Sequence, residues 1–69
     1  MRISAKNQLK GKIKKITVGA INCEVVIELA GGEVITSVIT KSSVKSLGLK
    51  PGVTAYAIIK ASNVIIGVD

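Results

Sequence analysis

The chain has 69 residues, with ten Lys and Arg against four acids, no histidine, one cysteine and a net charge of +6. That length accommodates a single compact unit, and chains this short bury only roughly 60% of their unfolded surface. Cys23 alone excludes an internal disulfide, and Glu24, Glu28, Glu33 and Asp69 alone exclude a ligand set for a bare metal cation, so reinforcement is left to association between copies.

Met1-Arg2-Ile3-Ser4 carries charge with no apolar run behind it, so no signal peptide is expected. No stretch approaches the roughly 20 apolar residues that span a bilayer, and the expected location is the cytoplasm, with Cys23 a reduced thiol in a strand. From Leu9 to Val18 polar and apolar residues alternate until the phase slips at Lys15-Ile16, as at a β-bulge. Val18-Gly19-Ala20 predicts a turn in which Gly19 is free to take positive φ. Ile21, Cys23, Val25, Ile27 and Leu29 then share one face of a second strand, with Asn22, Glu24 and Glu28 on the other.

Ala30-Gly31-Gly32-Glu33 reads as a hairpin turn. Val34 to Thr40 is a third strand, apolar or small on both faces, a pattern consistent with a subunit interface. A short helix follows, with Thr40, Ser42 and Ser43 as possible caps, Val44 and Leu47 spaced three apart, and Gly48 as the stop. Leu49-Lys50-Pro51-Gly52 predicts a turn, then Val53 to Lys60 and Val64 to Val68 two last strands around Ala61-Ser62-Asn63. The expected fold is all-β with one short helix, a five-stranded OB-like Greek-key barrel. Its apolar residues are mostly Val, Ile and Ala, and Tyr56 is the only aromatic. That composition adds the expectation of an oligomer that covers further apolar area.

The positive balance favours an anionic partner, whether nucleic acid, an anionic membrane surface or a small anion. Three segments combine anion-binding groups with turns: Ser4-Ala5-Lys6-Asn7-Gln8, Thr40-Lys41-Ser42-Ser43 and Lys60-Ala61-Ser62. Each offers hydroxyls, free N–H groups or an ammonium, and none brings a carboxylate. Such a set suits an anion of four acceptor oxygens and no donors, and a helix N-terminus adds positive potential. The plainer alternatives are a simple helix cap at Thr40 or Ser43, and solvated lysines at Lys6 and Lys60. Lys10, Lys12, Lys14 and Lys15 read as a solvated strand face or a phosphate-tracking stripe. The second functional reading is an OB-type domain for single-stranded nucleic acid, though such domains stack bases on aromatics and only Tyr56 is present. An enzyme is not expected: Cys23 has no histidine to activate it, and no paired carboxylates stand in for one.

Ser4-Ala5-Lys6-Asn7-Gln8-Leu9-Lys10-Gly11 resembles the opening Ser-Ala-Arg-Asn-Gln-Leu-x-Gly of the molybdate-binding Mop domain. The likeness continues through Gly19-Ala20, Glu24-Val25, Gly31-Gly32, Ile35-Thr36, Ser43-Val44, Leu47-Gly48-Leu49, Pro51-Gly52 and Ile59-Lys60-Ala61-Ser62, so it spans essentially the whole chain, 1–69, as one Mop domain. Single-domain members are the molbindins, cytoplasmic binders of molybdate and tungstate. The resemblance implies a homo-oligomer, a hexamer built as a trimer of dimers, that holds oxyanion between subunits for storage or homeostasis, without enzymatic activity, cofactor, nucleic acid or membrane. It implies Ser4, Lys6, Thr40, Ser43, Lys60 and Ala61 around one class of oxyanion site, and the turn Gly19, Ala20, Ile21 and Asn22 at a second. Lys6 departs from the family's usual arginine; it keeps the charge but replaces a planar fork of donors by a compact ammonium.

Overall fold

A computed structural model describes all 69 residues. Strands β1 (Asn7–Val18), β2 (Asn22–Leu29) and β3 (Val34–Thr40) lead into helix α1 (Lys41–Ser46), followed by β4 (Thr54–Ile59) and a 3₁₀ turn at Ala61–Asn63. The sheet is antiparallel throughout, in the order β3-β2-β1-β4. β1 is its spine: residues Asn7 to Lys12 pair with β4, and Gly11 to Val18 pair with β2. A strand shared in this way must curl, because its two halves serve different neighbours.

A bulge aids the curl. Ile13 pairs with Ile27 and Lys15 with Val26, which leaves Lys14 as the extra residue, one position before the slip expected at Lys15-Ile16. The insertion lets Ile13 and Ile16, three apart, both face the interior. Alternation along β2 is clean, with Cys23, Val25 and Ile27 at 5% exposure or less. Ile21, expected on that same face, lies in the preceding turn and is 75% exposed. The turn itself does not use positive φ at Gly19; glycine is needed there because a Cβ would meet the Asn22 carbonyl oxygen at 2.6 Å.

The hairpin closes as expected, with the Leu29 N–H donating to the Glu33 carbonyl at 2.8 Å. Helix α1 is set by its ends rather than by its length. Thr40 caps the N-terminus by accepting from the Ser43 N–H at 3.1 Å. At the other end Gly48 takes φ +64°, its N–H donates to Lys45, and the Leu49 N–H donates to Val44, which is a Schellman stop. Val44 and Leu49, joined by that bond, both pack on the core.

The fifth strand is absent. Val64 to Val68 form no regular element, and Ile65 and Val68 are each 93% exposed. The β-branched sequence is suited to a strand, but no partner strand of the same chain reaches it. The barrel is therefore a four-stranded, curled sheet, open between its two edges β3 and β4. The open side leaves a thin core: Ile13, Val25, Ile27 and Ala57 with Cys23 beside them. The accessible surface is 5458 Å², whereas a compact monomer of 7.1 kDa would expose about 4,100 Å². The one α-helix has six residues, and no helix is long and apolar enough to cross a membrane.

Candidate anion-binding site

At the start of β1 the chain folds a small loop against the end of β4. The Gln8 side-chain amide donates to the Ala5 carbonyl at 2.7 Å, which shapes Ser4 to Lys6. The Asn7 side-chain amide donates to the Ile59 carbonyl at 3.1 Å, which fastens that loop beside Lys60. The result is an open hollow of about 400 Å³ lined by Ser4, Ala5, Lys6, Lys60 and Ala61 on a floor of Ile3 and Ile58. No carboxylate lines it, and the single ion pair of the chain, Lys14 with Glu28 at 3.5 Å, is elsewhere. The backbone N–H groups of Ala61 and Ser62 have no acceptor within the chain. Two ammonium groups, one hydroxyl and free N–H groups thus converge on one surface.

Asn7 and Gln8 have a scaffolding role that the motif by itself does not reveal. They stand inside the quoted opening motif, yet their work is internal: each gives its amide to a main-chain carbonyl and so positions its neighbours. A segment of polar residues that looks like a ligand-binding run contains its own scaffold.

Thr40 and Ser43 lie elsewhere. Asn7 pairs with Ile59 at one end of β1, whereas Val18 pairs with Cys23 at the other, next to the Asn22–Thr40 pair. The 12 residues of β1 separate the two groups by on the order of 30 Å. Of the six expected ligand residues, the chain brings together Ser4, Lys6, Lys60 and Ala61, and keeps Thr40 and Ser43 apart from them.

What surrounds Thr40 is a second donor-rich region. Its hydroxyl lies 2.7 Å from Ser43 Oγ and 3.2 Å from Ser42 Oγ; Thr40 and Ser42 are exposed and Ser43 is half-buried. The Lys41 N–H donates to the Ile21 carbonyl at 2.8 Å, which ties the Gly19–Asn22 turn to the helix start. Within that turn the Gly19 N–H is already used by the Asn22 carbonyl, while those of Ala20 and Ile21 have no acceptor in the chain. Beside it a hollow of about 690 Å³ is floored by Val18 and Cys23 and ringed by Lys41, Lys45 and Lys50. These three lysines come from the helix and the following turn, and only the fold makes neighbours of them. No group of three or more His, Cys, Asp or Glu residues that could hold a metal ion exists in the chain.

Two donor-rich, acid-free regions at opposite ends of a curled sheet narrow the comparison with known proteins. The profile of the TOBE domain matches residues 3–66. The chain belongs to the TOBE-domain family. Within this family it is of the Mop type. It is 49% identical over 69 residues to a probable molybdenum-pterin-binding protein of Haemophilus influenzae, with all of both chains covered. Its structure superposes on MopII from Clostridium pasteurianum with a TM-score of 0.92 at 46% identity, covering 97% of this chain and 100% of that one. Against the cytoplasmic molybdate-binding protein ModG with molybdate bound, the TM-score is 0.95 at 56% identity, covering 100% of this chain and 49% of that one. The curled sheet with its short helix thus superposes closely on solved structures of this group.

Proposed function

We propose that this TOBE domain is a cytoplasmic binding protein for molybdate and tungstate, one Mop domain over residues 1–69 with no catalytic activity. It holds the dianion between subunits of a homo-oligomer, a hexamer built as a trimer of dimers, and serves to store the oxyanion. The observation that carries this reading is the donor-only hollow of Ser4, Lys6, Lys60 and Ala61, with no carboxylate on its walls.

A tetrahedral dianion needs positive potential and up to four directions of hydrogen-bond donation. Lys6 and Lys60 supply the first, and the Ser4 hydroxyl and the Ala61 N–H contribute to the second. Thr40 and Ser43 complete the set from a second subunit, which the separation of the two regions within one chain favours. Each charge-assisted bond contributes roughly 1.5–3 kcal/mol. A site made of donors also discriminates. Phosphate near neutral pH carries a proton that would face another donor, which disfavours it. Sulfate has the same charge in a smaller tetrahedron, so its rejection rests on the fit of the closed site. The Gly19–Asn22 turn, with free N–H groups at Ala20 and Ile21, is the second proposed oxyanion site. A role in binding single-stranded nucleic acid is disfavoured, because Tyr56 is the one aromatic available for stacking.

Calorimetric titration with molybdate, tungstate and sulfate tests the proposal. Tight binding of the first two, weak binding of sulfate and a fractional number of sites per chain are expected. Equal affinities for all three anions would remove the claim of specificity, and one whole site per monomeric chain would remove the shared site.

A further inference from the structure

We propose that the hollow ringed by Lys41, Lys45 and Lys50 is a separate site for a small organic polyphosphate, an apolar ring carrying two or three phosphates as in a nucleoside di- or triphosphate. It lies at the opposite end of β1 from the hollow of Ser4 and Lys60, and the oxyanion site proposed above draws on none of these three side chains. Its volume is about 690 Å³, against about 400 Å³ for the other hollow. That is the size of a site for a medium-sized organic molecule, and a tetrahedral oxyanion fills only a corner of it.

The lysines converge because of how the chain turns. Lys41 and Lys45 are four apart on α1 and so share one side of it. Gly48, at φ +64°, reverses the chain, and the Leu49 N–H donates to the Val44 carbonyl at 3.0 Å. That stop folds Leu49 and Lys50 back against the helix. The Lys50 carbonyl accepts from the Val53 N–H at 3.1 Å, which fixes the turn, and the Lys41 N–H is held by the Ile21 carbonyl at 2.8 Å. The backbone under each ammonium is thus set in advance, while the lysine stems can adjust to a ligand.

For the chain alone this arrangement is unfavourable. Like charges four apart on a helix repel, and Lys41 meets the positive end of the helix with no acidic residue in the first turn to offset it. No carboxylate lines the hollow, and the one ion pair of the chain joins Lys14 to Glu28. A charge cluster that breaks local preference without an internal partner points to an external one. Lysine binds phosphate as a point charge, so three of them suit a ligand with several phosphates. The floor indicates what else that ligand carries. Val18 is 62% exposed, and beside it Val44 and Leu49 are half-buried over the core. A bare phosphate chain leaves these side chains wet, whereas a ring laid on them removes apolar area from water. Aliphatic residues hold such a ring by burial and not by stacking, which favours one short molecule over a polynucleotide.

Calorimetric titration of the full chain with ATP, in magnesium-free buffer of low ionic strength, tests the inference beside inorganic tripolyphosphate and adenosine. Charge alone would rank tripolyphosphate first; the apolar floor is expected to reverse that order by about 10-fold. Adenosine, which has no phosphate, is expected not to bind. Lys45→Met with Lys50→Met keeps the aliphatic stems of two exposed residues. It should weaken ATP about 10-fold and leave the molybdate titration unchanged. On the wild type, the methyl resonances of Val18, Val44 and Leu49 are expected to shift as ATP is added, a measurement independent of whether the variant folds. Absence of ATP binding overturns the inference, as does tripolyphosphate binding as tightly as ATP. So does a folded double variant with wild-type ATP affinity, or ATP binding that leaves those methyl groups unmoved. A single-stranded oligonucleotide that displaces ATP and binds more tightly would assign the hollow to a polymer instead and overturn the inference as well.

Discussion

Thr40 caps helix α1 and lies in the proposed anion site through the same oxygen, and one pair of substitutions separates the two roles. The hydroxyl accepts from the Ser43 N–H at 3.1 Å and contacts both neighbouring serine hydroxyls. Thr40→Ala removes the cap of a helix that has only six residues and no buried side chain. The loss of such a cap costs about 1 kcal/mol, which in a chain of this size lowers the melting temperature by roughly 4–8 °C. Thr40→Asp keeps an equally good cap, so stability should remain within about 0.5 kcal/mol of wild type. It also sets a negative charge where the dianion is proposed to bind. At a separation of roughly 4.5 Å, even with the full screening of water, that repulsion is about 1.8 kcal/mol, or about 20-fold in affinity. Thermal unfolding followed by circular dichroism and molybdate calorimetry measure the two effects on the same samples. An aspartate variant that folds normally and binds molybdate like wild type would refute the placement of the dianion at Thr40 and leave that residue as a helix cap.

Three further substitutions probe the rest of the site and its support. Lys60→Met keeps the aliphatic stem and removes the ammonium, so molybdate affinity should fall by about 10- to 150-fold, the equivalent of one charge-assisted bond; an unchanged dissociation constant in calorimetry would exclude Lys60 from the site. Asn7→Ala removes the bond to the Ile59 carbonyl and should weaken binding about 3- to 10-fold, while stability falls by about 1 kcal/mol; affinity that stays constant despite the stability loss would show that the loop does not need this tie. Gly48→Ala forces a Cβ into φ +64° and should cost about 1 kcal/mol, read as an earlier denaturation midpoint, with no change expected if the helix stop can shift.

What the chain order made legible, and what it did not, follows the range of each interaction. The β2 alternation, the Gly31-Gly32 hairpin and the Thr40 and Gly48 caps depend on residues a few positions apart, and each is found where the pattern pointed. The strand at Val64–Val68 has a strand's composition, but a strand exists only where another pairs with it, and within one chain nothing does. Ile21 continued the apolar alternation on paper, yet the close approach of Gly19 to Asn22 ends the pairing before it. Lys41, Lys45 and Lys50 gave no signal as a group, since a helix and a turn had to fold before they could ring one hollow. The opening motif was legible through resemblance, whereas the division of labour inside it was not: Asn7 and Gln8 build the loop that Ser4 and Lys6 occupy.

On the proposed site, a donor set divided between the two ends of β1 couples ligand to association. A chain with four acids and ten cations resists its own association, because bringing two such chains together concentrates like charge. A dianion bound between them removes part of that repulsion, so on the proposed arrangement ligand and assembly are linked: whatever stabilises the contact raises affinity, and oxyanion in turn stabilises the contact by the same free energy.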